Sequence, residues 1–153
     1  MTGDLHHLTI AEGVRLIGQG KLSPVKWTER LLERIEAIDP LLDSFIMVTG
    51  GRARSQARRA DEEIRQGRCR GPLHGVPFAL KDVIDTAGVR TTAASKVSAG
   101  RVPGRDAAVL RRLEAAGAIL LGKLTTHEFA QGGPSFDLPW PPARNPWDRR
   151  RFT

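Results

Sequence analysis

Two wholly apolar runs separated by one helix-like segment constrain the fold more than any other feature of this sequence. The runs are "VPFAL" at 76–80 and "AILLG" at 118–122, and neither alternates polar with apolar residues as half-exposed strands do. Between them, Asp106 is a candidate helix cap and Gly117 a stop signal. The apolar residues spaced for the inner face of that helix are Val109, Leu110 and Leu113. Strand, helix and strand in this order predict two parallel, neighbouring strands in a sheet covered by helices.

The first 70 residues predict a helical amino-terminal arm that includes one short strand. Apolar residues at helical spacing define two helices, and the second begins at Ser23-Pro24 and ends at Asp39-Pro40. These apolar residues are Ile10, Val14 and Ile17 in the first helix and Leu31, Ile35 and Ile38 in the second. "FIMV" at 45–48 indicates a strand, and the charged residues 52–66 predict a third helix closed by Gly67.

Composition excludes several classes of protein. The chain has 153 residues, enough for one compact domain, and its single cysteine, Cys69, permits neither an internal disulfide nor a thiolate metal cluster. His127-Glu128 lacks the second histidine of a zinc-binding helix, so we expect no metal and no cofactor. No run approaches the roughly 18 apolar residues of a membrane span and the first residues do not resemble a signal peptide, which predicts a cytoplasmic protein without a membrane partner.

Lys81 is the principal candidate for chemistry. It directly follows the first apolar run, and catalytic groups of open α/β sheets gather beyond the carboxyl ends of strands, a position that Lys123 shares after the second run. A lysine there can be structural, reaching solvent or pairing with Asp82 or Asp85. It can also act as a general base, if desolvation leaves part of it as neutral amine near pH 7.

Residues 71–148 resemble the amidase signature family, whose members hydrolyse or transfer the nitrogen of carboxamides. The segments that carry this resemblance are "GPLHGVPFALKDVIDTAGVRTTAAS", "DAAVLRRLEAAGAILLGKLTTHEFA" and "GGPSFDLPWPPARNPWD". The arm matches more weakly through "LTIAEGVRLIGQGKLSPVKWTERLLERIEAIDP". The resemblance implies a mixed, mostly parallel sheet covered by helices, of which this chain would form the arm and the first βαβ part.

The resemblance also implies a serine-serine-lysine mechanism, a relative of the Ser-Lys forms of nucleophilic catalysis. Lys81, in the "ALKD" segment, would act as base through a bridging serine on a nucleophilic serine, and the apolar strand would hold Lys81 partly desolvated. Gly132 and Gly133 align with the segment of the family that lines the substrate. The chemical partner expected from the family is a small-molecule amide.

The two serines of the family pattern have no counterpart in this sequence. The family places the bridging serine in a Gly-Gly-Ser-Ser run just after Asn-Pro-Trp-Asp and the nucleophile further on, whereas this sequence stops at Thr153. None of Ser95, Ser98 and Ser135 lies in the required glycine-serine turn. We therefore expect residues 1–70 to form the arm and residues 71–153 the start of the core, in a fragment that is inactive alone and incomplete in fold.

Three functions remain open on the sequence. A general amidase is favoured over the glutaminase-type A subunit of a tRNA-dependent amidotransferase, because "FDLPWPPARNPWD" is more typical of general amidases. The net charge of +7 also suits a non-catalytic scaffold that binds an acidic partner. Its charges are dispersed among acidic residues, which favours a solvated surface, so we expect no nucleic acid except tRNA in the amidotransferase alternative. The family allows a homodimer in a full-length form.

Overall fold

The computed structural model describes residues 5–153, which form four α-helices and three β-strands. The elements in chain order are α1 (Ile10–Gly18), α2 (Pro24–Leu42), β1 (Phe45–Val48), α3 (Gly50–Arg65), β2 (Pro77–Lys81), α4 (Ala108–Ala115) and β3 (Ile119–Leu124). Single 3₁₀ turns lie at Leu5–His7, Lys96–Ser98 and Glu128–Ala130. The predicted α/β class and the order of elements are confirmed.

The strands form one mixed sheet in the order β1-β3-β2. β3 and β2 are parallel, because the amide of Ile119 donates to Val76 O at one end and that of Asp82 donates to Leu124 O at the other, both at 2.9 Å. β1 is antiparallel to β3, with Val48 opposite Gly122. The predicted parallel pair is therefore correct, and it is extended by an antiparallel edge strand.

Gly122 allows β1 to approach β3 closely. A Cβ atom at this position would lie 2.3 Å from the carbonyl oxygen of Met47 and 3.0 Å from the Cα of Val48, which is closer than side chains approach backbone. β3 is the central strand, and five of its six residues are buried.

Helix α2 does not end at Asp39-Pro40 as predicted but continues to Leu42, with Pro40 inside it. Proline removes one helical hydrogen bond, which normally ends a helix. Here the carboxylate of Asp39 accepts hydrogen bonds from the amides of Ser44 and Phe45, 2.8 and 3.2 Å away, and so fixes the exit of the chain into β1. The start is as predicted: Ser23 Oγ accepts from the amide of Lys26 at 3.1 Å.

Small side chains on α3 pack against β3. Ala53, Ala57 and Ala60, spaced by four and three, are the buried residues of this otherwise charged helix. They form one apolar cluster with Leu32, Ile119 and Leu121. A second cluster joins Ile17, Leu22, Trp27 and Val76. The burial of alanine rather than larger residues brings the α3 backbone close to the sheet.

Two predictions for α4 are wrong in detail. The Asp106 carboxylate does not cap the helix; it accepts a hydrogen bond from the amide of Ala87, 2.6 Å away, and so ties down the long loop after β2. Val109 is 45% exposed and does not lie on the inner face, whereas Leu110 is fully buried. Gly117 ends the segment as predicted, at a φ of +83°.

The described residues form two compact units whose pieces alternate along the chain. One comprises the described residues up to Glu36 together with Thr49–Phe78 and Arg112–Leu121. The other comprises Ala37–Val48, Ala79–Arg111 and Gly122–Thr153. The division into an arm of residues 1–70 and a core of residues 71–153 stays a prediction. Within residues 5–153, no helix has the length and apolar character needed to cross a membrane.

Candidate active site

Lys81 is the last residue of β2 and is exposed at the carboxyl end of that strand. It borders a cavity of about 180 Å³. The other lining residues are Thr125, Thr126, His127, Pro142, Ala143 and Thr153. This cavity therefore brings the end of β2 together with the segment after β3 and with the last residue of the sequence.

Of the two structural alternatives for Lys81, pairing with Asp82 or Asp85 is wrong, whereas reaching solvent agrees with its exposure. Asp82 is paired with Lys123, and both carboxylate oxygens of Asp85 accept hydrogen bonds from Arg101 at 2.7 and 2.8 Å. Hydrogen bonding to Arg101 lowers the pKa of the Asp85 carboxyl. No ion pair or side-chain hydrogen bond joins Lys81 to any other residue in the described part of the chain, 5–153. Its amine is thus available to a group from outside this chain.

The expectation that the apolar strand holds Lys81 partly desolvated is also wrong for this chain. Leu80 is buried, but Phe78 and Ala79 are only partly so, and Lys81 itself is exposed. Residues inside a strand are covered by neighbouring strands and by the layers packed on the sheet. The side chain at the end of a strand is covered only by groups that lie beyond that end. Desolvation of Lys81 therefore requires atoms that this chain does not supply.

His127 connects the Lys81 cavity to the predicted substrate-lining glycines. Its Nδ1 lies 2.9 Å from the carbonyl oxygen of Gly132, and because a carbonyl only accepts, Nδ1 carries the proton. Gly132 has a φ of +70°, a conformation that glycine adopts without steric cost. Gly132 and Gly133 are both exposed. The role of these glycines in binding stays a prediction.

A buried ion pair lies directly behind Lys81. Lys123 Nζ is 3.2 Å from Asp82 Oδ1, and both side chains are completely buried. Lys123 also donates hydrogen bonds to Ile84 O at 2.8 Å and to Thr91 Oγ1 at 2.7 Å. The second carboxylate oxygen of Asp82 accepts from the amide and the hydroxyl of Thr92, at 2.8 and 2.6 Å.

Lys123 is not at the mouth of its strand, as the sequence suggested, because β3 continues through it to Leu124. Burial lowers the pKa of Lys123, and the Asp82 carboxylate opposes that shift. Nζ has two hydrogen-bond acceptors and the Asp82 carboxylate beside it, contacts that an ammonium can make. The buried amine is therefore already engaged, and the accessible amine is Lys81.

Four residues other than glycine adopt positive φ angles beside this pair. They are Ala93, Ala94, Phe129 and Ala130, at 52°, 53°, 50° and 59°. The two short stretches are joined by a hydrogen bond of 2.9 Å from the amide of Phe129 to Ala93 O. Such conformations cost about 1–3 kcal/mol each and persist where the surroundings enforce them, often at functional sites. Ala93 and Phe129 also line a second cavity, of about 330 Å³.

Comparison with known proteins identifies the family. A family model described as Amidase matches residues 26–153, which is most of the chain. The chain belongs to the amidase family. This amidase-family chain is 45% identical over 148 residues to the A subunit of the glutamyl-tRNA(Gln) amidotransferase of Chloroflexus aurantiacus. The match covers 97% of this chain and 30% of that protein.

Solved structures of the amidase family match the fold. The native peptide amidase of Stenotrophomonas maltophilia superimposes with a TM-score of 0.84 at 34% identity, over 94% of this chain and 31% of the other. A fatty acid amide hydrolase matches with a TM-score of 0.89 at 20% identity, which shows the shared fold alone. The chain thus spans about 30% of the length of the relatives it matches.

Residues 5–153 contain no group of three or more His, Cys, Asp or Glu side chains that could hold a metal ion. Sequence reasoning did not assign Thr126 or His127 to the Lys81 site, although both follow β3 within three residues of its end. The useful signal was the parallel arrangement of β2 and β3, because the carboxyl ends of parallel neighbours meet at one edge of a sheet.

Proposed function

We propose that this chain supplies the general base, Lys81, of an amidase that hydrolyses the C–N bond of carboxamides. The observation that carries the proposal is the position of an accessible amine at the carboxyl end of β2, in a cavity that Thr153 also lines. In the family pattern the bridging serine follows Asn-Pro-Trp-Asp closely. A serine attached shortly after Thr153 would therefore begin its path beside Lys81.

The reaction requires Lys81 as a neutral amine. It accepts a proton from the bridging serine, which takes the proton of the nucleophilic serine as that oxygen bonds to the amide carbon. The C–N bond breaks, the leaving nitrogen takes the proton and departs as ammonia, and an acyl ester remains on the nucleophile. Water then attacks the ester by the same proton path. The balance is one carboxamide and one water consumed, and one carboxylic acid and one ammonia formed.

By itself the 153-residue chain is expected to be inactive towards amides, because both serines are absent from it. Lys81 is exposed in this chain, so its side chain is surrounded by solvent. Polypeptide packed over the cavity would remove water from the amine and favour its neutral form.

A chimera tests the proposal. The segment of the Stenotrophomonas maltophilia peptide amidase that aligns with this chain is replaced by residues of this chain, and ammonia release from a carboxamide substrate of the recipient enzyme is measured. Lys81→Ala is expected to lower kcat by at least about 10²-fold, the range of general acid–base catalysis. Lys81→Arg, which keeps the charge without a usable base, should lose as much activity.

Lys96→Ala is the matched control, because Lys96 is also an exposed lysine in the same compact unit. The control chimera should keep the activity of the parent chimera. Hydrolysis by the Lys81→Ala chimera at more than a tenth of the parent rate would remove Lys81 from the mechanism.

A glutaminase-type role in a tRNA-dependent amidotransferase is the second candidate. It is favoured by the 45% identity to the A subunit of an amidotransferase, against 34% to the peptide amidase. The two candidates share Lys81 and differ in the acyl group and in the fate of the ammonia. The same exchange carried out in the A subunit of the Chloroflexus aurantiacus amidotransferase separates them. Glutamine hydrolysis in that chimera, together with an inactive peptide amidase chimera, would favour the amidotransferase role.

A further inference from the structure

We propose that Lys123 is a positioning residue, whose buried ammonium fixes the end of β2 and the two segments that flank the Lys81 cavity. The placement follows from geometry in this chain. Its consequence for catalysis rests on the proposed function of Lys81.

The first step is that Lys123 is enclosed in the fold and out of reach of a substrate. Its Nζ donates hydrogen bonds to Ile84 O and Thr91 Oγ1 and lies 3.2 Å from Asp82 Oδ1 in an ion pair, and its side chain is completely buried. Ile84 lies at the beginning of the long loop that follows β2, and Thr91 lies further along the same loop. One ammonium in β3 therefore ties that loop to the central strand at two points.

The second step is that Asp82, the residue next to Lys81, joins the end of β2 to β3 and to the loop that contains Thr92 and Ala93. Its amide donates to Leu124 O and its carbonyl accepts from the amide of Ala93, both at 2.9 Å. Its carboxylate holds Thr92 through two hydrogen bonds and Lys123 through the ion pair. A shift of Lys123 or Asp82 would therefore move the backbone from which the Lys81 side chain projects.

The third step extends this network to the other wall of the cavity. The amide of Phe129 donates to Ala93 O, and His127, two residues earlier, lines the Lys81 cavity and bonds to Gly132 O. The left-handed conformations of Ala93 and Phe129 are unfavourable in isolation and need such external support. The path from Lys123 thus reaches both sides of the cavity through the ion pair with Asp82, backbone hydrogen bonds and the short segment from Phe129 back to His127.

A stability role alone does not account for this pair. A buried ion pair is often no more stabilising than a well-packed apolar pair of similar volume. The pair and its hydrogen bonds add geometric specificity. Each contact specifies one acceptor at one distance, and together the contacts specify one arrangement of the loop.

Amide hydrogen exchange on the 153-residue chain tests the placement. For each protein, the exchange rates of the Ala93 and Phe129 amides are divided by those of the Ile119 and Leu120 amides in β3. In Lys123→Met this ratio is expected to be at least 10-fold higher than in the unchanged chain. Lys123→Met with Asp82→Asn, which leaves no unpaired charge, should show the same local acceleration, since the bonds to Ile84 and Thr91 remain lost. Gly20→Ala is the control for general destabilisation, because Gly20 has a φ of +67° and an added Cβ would meet nothing within 4 Å, and it should leave this ratio unchanged.

Unchanged ratios in both Lys123 variants would overturn the proposal. In the peptide amidase chimera, the double variant should lower kcat with little change in KM, whereas Gly20→Ala should leave both constants unchanged below its unfolding temperature. An exchange effect together with an active Lys81→Ala chimera would refute the proposed function and keep the placement of Lys123. A full loss of activity in Lys81→Ala without an exchange effect would refute the role of Lys123 and keep that of Lys81.

Discussion

Removal of one partner of the Lys123–Asp82 pair should destabilise the chain far more than removal of both charges. In Lys123→Met the Asp82 carboxylate stays completely buried with no cation beside it, and Thr91 and Ile84 lose a charged donor. Breaking a buried pair in this way costs about 3–5 kcal/mol. Because domains of this size are stable by about 5–15 kcal/mol, the loss would be a large part of the total.

The Asp82 carboxylate should destabilise the fold only while no cation lies beside it. In Lys123→Met with Asp82→Asn, the asparagine oxygen can still accept from Thr92, and no buried charge is left without a partner. Ile84 O also keeps the hydrogen bond from Thr86 Oγ1, which is 3.3 Å long. We expect a coupling energy of at least about 2 kcal/mol between the two sites, as is found for groups in direct contact.

Urea unfolding of the four proteins of this cycle at pH 7 measures the coupling. The single variants should unfold at much lower urea concentrations than the unchanged chain, and the double variant should lie between them and the unchanged chain. Additive losses, or a cost below about 1 kcal/mol for Lys123→Met, would show that the pair is solvated and that the buried geometry is wrong.

Three further predictions concern other sites. Burial lowers the pKa of His74 below the ordinary value of about 6.5, against the opposing effect of Glu63, so the unfolded chain binds this proton more readily. Stability from His74 should therefore be full above about pH 6.5 and decrease as the pH falls below it, and urea unfolding of His74→Gln at about pH 7 and pH 5 should show a smaller decrease. Gly117→Ala should cost about 2–4 kcal/mol in urea unfolding, because the new Cβ would lie 2.2 Å from the His74 ring at a positive φ. Lys81→Ala should change stability by less than about 0.5 kcal/mol, because the side chain is exposed and makes no ion pair within residues 5–153; a larger loss would indicate a structural role.

The fold of the βαβ part could be predicted because its strands are wholly apolar and its helix has one apolar face. β2 and β3 were both predicted from wholly apolar runs, which are typical of buried strands. The end of α2 could not be found in the same way. A proline normally stops a helix, and the local hydrogen bonds by which the Asp39 carboxylate secures the exit beyond Pro40, from the amides of Ser44 and Phe45, leave no periodic pattern in the sequence.

The candidate site was predicted in part. The position of Lys81 at a strand end could be deduced from the sequence, but its exposure could not, since that depends on which segments of the fold lie beyond the strand end. Lys123 was placed one residue beyond its strand because the apolar run that predicts the strand, 118–122, ends just before it. The overlooked signal is Leu124, which continues the apolar run and encloses the lysine between apolar neighbours.

The role of Lys81 as a base is tested most directly by chemical rescue in the peptide amidase chimera. In Lys81→Ala, small primary amines added to the solution should restore part of the lost ammonia release, while the Lys96→Ala chimera should not respond to them. The rate of rescue should rise with the basicity of the amine, because the added molecule replaces a proton acceptor. Full activity of Lys81→Ala without any amine would contradict the account.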